Sequence, residues 1–300
     1  MMLAALSTET ANERTRDLDT MSVSDLLAVM NEEDRTVPLA VAAALPEIER
    51  AVNVIVEARR RGGRLIYIGA GTSGRLGVLD AVECPPTFGT APGEVLGLIA
   101  GGDRAFLRAV EGAEDDPDRA AADLRGVDLV ATDVVVGIAA SGRTPYVIGG
   151  LDYALEVGAA TVSVSCNVDS LISAHADVAI EVNTGPEILT GSTRLKAGSA
   201  QKLVCNMLST ASMIRTGKVF HNLMVDVQPT NAKLIDRARR IVSAATGADT
   251  DTAAAAIDLA GGHAKTAVVM LLAELGPEEA TERLRLSGGH VRAAVDPSTH

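Results

Sequence analysis

The chain has 300 residues, 47 % of them hydrophobic and only 2 % aromatic, with a net charge of −12 and a pI near 4.9. That length suits one large domain or two smaller ones, with an aliphatic core of helices packed closely on strands. The acidic balance excludes a broad positive field for nucleic acid or an anionic lipid surface.

Cys84, Cys166 and Cys205 are scattered, with no Cys-x-x-Cys pair, which fits a reducing compartment and offers no metal signature. No apolar run approaches the roughly 18 residues of a transmembrane helix. Met1-Met-Leu-Ala-Ala-Leu6 is too short, and too soon followed by acids, to be a secretory signal. A soluble cytoplasmic protein is expected.

Residues 7–36 are polar, with Leu26, Leu27 and Met30 at helical spacing. After Pro38 a long amphipathic helix is predicted through Val41, Leu45, Ile48, Val52, Ile55 and Val56. Arg59-Arg-Arg-Gly-Gly63 supplies its stop signal. From Arg64 the pattern alternates. Strands are predicted at 65–68, 95–99, 133–138, 160–165 and 178–182, and helices near 73–82, 103–112, 144–157, 170–175 and 198–217. Unbroken Val/Ile strands between helices indicate an α/β fold with a parallel sheet covered on both faces. Past about Arg240 the strands cease, and three short helices, from Thr246-Gly247, Lys265 and Gly276-Pro277, are expected to form a small bundle. The domain boundaries read from this are 1–60 for an N-terminal helical arm, 61–240 for the sheet domain and 241–300 for the bundle.

Ligands in such sheets bind outside the carboxyl ends of the strands, at a switch point, which directs attention to loops 69–74 and 139–144. Gly69-Ala-Gly-Thr-Ser-Gly74 follows a strand and opens a helix, where backbone N–H groups favour an anion. It is neither a P-loop nor a dinucleotide fingerprint, because Gly-Lys-Ser/Thr is missing and the third glycine comes one residue early. Ala140-Ser-Gly-Arg-Thr-Pro145 repeats the design, and Thr190-Gly-Ser-Thr-Arg-Leu-Lys196 precedes a third helix. A single Ser or Thr at such a place is ordinarily a cap; three hydroxyl-rich helix starts in one sheet domain point to phosphate. Arg143, Arg194, Lys196 and Lys202 can offset substrate charge, although each alone reads as a surface base.

Two carboxylates stand out. Glu83 ends the first loop's helix, and Pro85 is expected to break the chain at Cys84, leaving Glu83 against the negative end of the helix dipole. Glu114 lies in the acidic run Glu111-Gly-Ala-Glu-Asp-Asp-Pro-Asp118, at the end of another predicted helix; Glu111 could share its face, and spacing does not choose between them. If residues 73–83 form one unbroken helix, its ends lie about 15 Å apart, more than a sugar phosphate spans. Glu83 is therefore expected to serve a site bounded by a two-fold partner's loops, unless the helix bends near Gly77.

Gly69-Ala-Gly-Thr-Ser-Gly-Arg75 and Ser141-Gly-Arg-Thr-Pro145 resemble the SIS fold of phosphosugar-binding proteins, a flavodoxin-like three-layer architecture. More narrowly, Asp80-Ala-Val-Glu-Cys-Pro-Pro-Thr87, Ala109-Val-Glu-Gly-Ala-Glu-Asp115, Gly191-Ser-Thr-Arg-Leu-Lys-Ala-Gly198 and Asn222-Leu-Met-Val-Asp226 resemble the N-acetylmuramic acid 6-phosphate etherase family. The likeness runs from Thr8-Glu9 and Asn12 into the bundle, which itself resembles a ubiquitin-associated-type fold. It implies cleavage of a D-lactyl ether without metal or organic cofactor, in a homodimer with its site near the subunit interface, and no nucleic-acid or membrane partner. Residue by residue, it implies Glu83 and Glu114 as the catalytic pair. Gly71, Thr72, Ser73, Ser141, Gly142, Arg143, Thr144, Ser192 and Thr193 would hold the phosphosugar. His221 departs from the small residue expected before Asn-Leu-Met-Val and is given no role. Two other functions share the fold, a sugar-phosphate isomerase and a phosphosugar sensor. A sensor of the related glucokinase-regulating kind would need two tandem SIS domains, and the length holds one.

Overall fold

The computed structural model describes residues 6–108, 110–227, 232–296 and 298; Met1–Ala5, Ala109 and His300 lie outside the described residues. The N-terminal arm carries α1 (Val23–Asp34), α2 (Val37–Ala43) and α3 (Leu45–Arg60). The single long helix expected after Pro38 is two helices, interrupted at Ala44 with Pro46 in the first turn of α3. Proline disfavours helical backbone in the residue before it and lacks the N–H that would continue the ladder. The stop after Arg59-Arg-Arg61 is as read: Gly63 N–H bonds Ala58 O at 2.9 Å and Gly62 N–H bonds Arg59 O at 3.0 Å, the paired closure that a left-handed glycine permits.

The sheet is parallel, in order β2-β1-β3-β4-β5. It is built from β1 (Leu65–Gly69), β2 (Val95–Ile99), β3 (Val134–Ile138), β4 (Ala160–Ser165) and β5 (Val178–Glu181), and all five strands were predicted. The chain leaves β1 for β2 on one side and returns to β3 on the other, so the switch point lies between β1 and β3. The β1–β3 register pairs Ile66 with Val135 and Tyr67 with Val136. With period-two alternation, Ile66, Ile68 and Val135 pack on one face with Val147 and Leu151 of α7 (Pro145–Val157) and Leu124 of α6 (Pro117–Gly126). Tyr67 faces the other side, where its hydroxyl donates to Asp80 of α4 (Gly71–Phe88) at 2.9 Å. Burial pushes the Asp80 carboxyl up from its ordinary pKa, against the opposing hydrogen bonds from Tyr67 and Ser209.

Several helices differ from expectation. Among the described residues of the stretch predicted as helix 103–112 only α5 (Arg104–Leu107) forms, and Glu114 stands in a turn after it. The segment at 170–175 is a 3₁₀ helix, Leu171–His175. The predicted break at Cys84-Pro85-Pro86 does not occur: α4 runs through both prolines, and Gly89 N–H bonds Pro85 O at 3.0 Å. The rings remove the donors to the carbonyls four residues earlier, yet Cys84 and Phe88 are buried at 2 % and 7 % exposure, and their packing holds the turn. Glu83 is therefore an exposed residue inside a helix, and the dipole argument made for it lapses, since that effect fades beyond the last turn.

The chain divides into two compact units. One runs to Val82 and resumes over Gly93–Ser209; the other comprises Glu83–Pro92 and the chain from Thr210 onward. In the second unit the helical region has five helices among the described residues, not three: α9 (Ala232–Thr246), α10 (Thr250–Leu259), α11 (Ala264–Ala273), α12 (Pro277–Leu286) and α13 (Val291–Val295). Val242, Ile257, Val268, Leu284 and Val291 share its core. His221, also in this unit, has φ +53°, a left-handed conformation uncommon outside glycine but one in which histidine is enriched. No single helix among the described residues is long and apolar enough to cross a membrane.

Candidate active site

The first loop leaves the sheet at Gly69, beside the switch point. Its glycines do different work. A Cβ on Gly74 would stand 2.5 Å from the Gly69 carbonyl oxygen, so this position exists to let the turn close on itself. Gly71 has φ +53° and open space where a side chain would be, which fits backbone approach to a ligand. Thr72 is half-buried. Ser73 is 7 % exposed, and its hydroxyl donates to Oε1 of Gln201 at 2.9 Å. Gln201 belongs to α8 (Lys196–Arg215).

The second loop follows β3. Gly142 has φ +70° and abuts Ser170, which a Cβ would meet at 2.3 Å. Ala140 O accepts from Cys166 N–H at 3.0 Å and Asn167 Nδ2 at 3.1 Å. Ser141, Arg143 and Thr144 stay half-exposed, and Thr144 sits at the N-cap of α7 without using its side chain to cap it. Glu114 joins this loop through its backbone: its carbonyl accepts from Tyr146 N–H at 3.0 Å. The bond ties the Glu114 backbone to Tyr146, two residues past Thr144, and leaves the Glu114 carboxylate exposed. Beneath it, burial and the neighbouring Asp123 push the Tyr146 phenol upward, so the hydroxyl stays a donor to Asp123 at 2.8 Å.

The third loop differs from the first two. Both oxygens of the fully buried Glu187 accept backbone N–H groups at the start of α8, from Lys196 and Ala197, each at 2.9 Å. The dipole end that would attract an anion there is already capped by a carboxylate, so what Ser192 and Thr193 offer is their hydroxyls. Lys196 is not the surface base that was expected. It is 2 % exposed, and its ammonium is 2.9 Å from Glu33 of α1, whose other oxygen takes Arg14 at 2.9 Å. Loops one and three meet at Gly198, where a Cβ would lie 3.5 Å from both Thr72 Cγ2 and Thr193 O.

The N-terminal segment closes onto the same loops. Asn167, 2 % exposed, donates to Thr8 Oγ1 at 3.0 Å as well as to Ala140 O. Its own oxygen accepts from Ser7 Oγ at 2.9 Å and Thr8 N–H at 3.3 Å. Thr15 Oγ1 donates to Ile188 O at 2.8 Å. Sequence reasoning missed Gln201, Asn167, Glu187 and Glu33. The only signal near them was the likeness at Thr8-Glu9 and Asn12, whose partners lie far along the chain. Within the first unit, Gly198 thus stands between loops 69–74 and 190–196, Asn167 ties loop 140–145 to Thr8, and Glu114 is held just past that loop. Glu83 is the first residue of the other unit.

Comparison with known proteins agrees with this architecture. The family described as the glucokinase regulatory protein N-terminal SIS domain matches residues 47–155, and the SIS domain family matches residues 121–211. A phosphoheptose isomerase from Francisella tularensis superposes with a TM-score of 0.50 at 16 % identity, over 63 % of this chain and 100 % of that one, a likeness of fold. The N-acetylmuramic acid 6-phosphate etherase of Mycolicibacterium smegmatis is 63 % identical over 98 % of this chain and 99 % of its own. That of an Exiguobacterium species is 60 % identical over 98 % and 100 %. Identity of that order over whole lengths places the chain plainly: it belongs to the N-acetylmuramic acid 6-phosphate etherase family.

Proposed function

We propose that the chain cleaves the D-lactyl ether of N-acetylmuramic acid 6-phosphate, yielding N-acetylglucosamine 6-phosphate and D-lactate. It is a carbon–oxygen lyase that serves the reuse of cell-wall sugar in the cytoplasm. The observation that carries this is the 63 % identity to an etherase over 98 % of the chain. The SIS fold and its hydroxyl-rich loops at the β1–β3 switch point support a phosphosugar as substrate.

The chemistry is an elimination followed by an addition. An ether oxygen at C3 leaves poorly, but the open-chain aldehyde at C1 acidifies the C2 proton. Glu114 takes that proton, the electron pair forms the C2=C3 bond, and the C3–O bond breaks as Glu83 protonates the lactate oxygen. The Glu83 carboxylate then removes a proton from water, whose oxygen adds at C3 while C2 regains its proton from Glu114. Two proton-transfer groups suffice, with no redox or nucleophilic residue. Gly71, Thr72 and Ser73 of the first loop, Ser141–Thr144 of the second and Ser192 and Thr193 of the third are assigned to the phosphosugar. An α4 that is continuous from Gly71 to Phe88 favours the version in which Glu83 completes a site with loops of a two-fold partner. Release of D-lactate from N-acetylmuramic acid 6-phosphate by the pure protein is the direct test. Absence of lactate, with the substrate shown intact, refutes the assignment.

A further inference from the structure

Ser73 presents a conflict. As a phosphate contact it must point its O–H at an anion, yet its hydrogen is engaged by Gln201 Oε1 at 2.9 Å. Gln201 is 1 % exposed, and its Nε2, buried in the same place, has no hydrogen-bond partner among the described residues. A buried amide with one end satisfied and the other orphaned is costly, and rotation about its terminal torsion exchanges the two ends over a shallow, two-fold profile.

We infer that Gln201 is a positioning residue for the phosphosugar, whose amide, turned so that Nε2 donates to Ser73 Oγ, releases the Ser73 hydrogen toward an anion bound at the start of α4. The hydroxyl can accept one bond and donate another at once, so the turned amide gives Ser73 a fixed oxygen and a proton aimed outward. Nε2 gains the partner it lacks. The amide oxygen loses its own, an arrangement buried carbonyls tolerate better than N–H groups do. The start of α4 supplies the reason for an anion there, through the N–H groups that a helix start leaves without intrahelical partners and the open backbone at Gly71. The inference rests on the reading of loop 69–74 as the phosphate cradle.

The test is a cycle of Ser73→Ala, Gln201→Met and the double variant, with kcat and KM measured for N-acetylmuramic acid 6-phosphate and melting temperature as the folding control. Loss of the Ser73 bond to a charged phosphate predicts a KM rise of about tenfold in Ser73→Ala; Gln201→Met keeps the hydroxyl but no longer fixes it, and the loss of that neutral bond predicts a rise of about threefold to tenfold, with kcat changed far less in both. Because both act through one hydroxyl, the double variant should show no more than the larger single effect. Gln201→Glu keeps an acceptor for Ser73 but has no N–H, and it should raise KM as well. A parental KM in Gln201→Met or Gln201→Glu, or a double variant whose KM rise is the product of the two singles, overturns the role of Gln201. A parental KM in Ser73→Ala overturns the cradle reading itself.

Discussion

Glu33→Gln should destabilise the protein severely although Glu33 lies in the N-terminal arm, far in sequence from the sheet. Its side chain is 8 % exposed and that of Lys196 is 3 %. At 2.9 Å and an effective dielectric constant of about 20, the pair attracts by roughly 6 kcal/mol, against a desolvation cost of several kcal/mol per ion. The net worth of the pair is small, but removing one partner strands the other, at about 3–5 kcal/mol. For a unit of this size each kcal/mol shifts the melting temperature by about 2–4 °C, so a fall on the order of 10 °C is expected. Replacing both residues together, Glu33→Met with Lys196→Met, should recover most of that loss. Burial pushes the Glu33 carboxyl up, but Lys196, with Asn12 and Arg14, outweighs it and leaves the pKa below the usual value. The stabilisation is therefore present above the ordinary carboxylate range and lost as pH falls through the folded-state value. Thermal melts of the single and double variants from pH 3 to 8 check both parts. A single variant within 2 °C of the parent, or a double variant no better than the single, refutes the argument.

Asp133→Asn should also flatten the acid limb of stability. Burial raises that carboxyl, yet Arg64 and the backbone N–H groups of Val130 and Arg64 outweigh it, so its contribution fades as pH drops through its lowered value; chemical denaturation against pH reads this. Glu114→Gln should abolish incorporation of solvent deuterium at C2, whereas Glu83→Gln should keep that exchange and lose lactate release. Each should lose about 10²–10⁴-fold in rate, and deuterium incorporation persisting in Glu114→Gln would reverse the two roles. Mixed dimers of a Glu83→Ala chain with a Ser73→Ala chain should recover activity if sites are shared between subunits; no recovery means each chain builds its own.

The sheet was legible because β1 and β3 are buried on both faces, and a strand in that setting is a run of Val, Ile and Leu with nothing to mimic it. The glycine loops were legible for the same local reason. What was missed required tertiary information or a signal passed over. Asp116 caps α6 with its side chain and Pro117 stands in the first turn, a standard helix start, but the surrounding acids read as a solvated tip. The prolines in α4 obeyed the local rule for a helix stop, and packing at Cys84 and Phe88 overrode it. Gln201, Asn167 and Glu187 are single polar residues whose partners lie at other places in the chain, so no spacing announces them.

The tie between Ser7 and Asn167 joins residues 160 positions apart, and it bears on how the protein is made. During synthesis at about 5–20 residues per second, the first residues leave the ribosome some 8–30 s before the loop they fasten exists. Until Asn167 emerges, Thr8 has no buried partner to hold, and neither Glu33 nor Ser73 has met its counterpart on α8. The sheet's first strands can pair early, but the candidate loops are fastened only later, by residues made well before them. Removal of Ser7 and Thr8 should thus leave a folded sheet with a slack site, read as a raised KM for the phosphosugar.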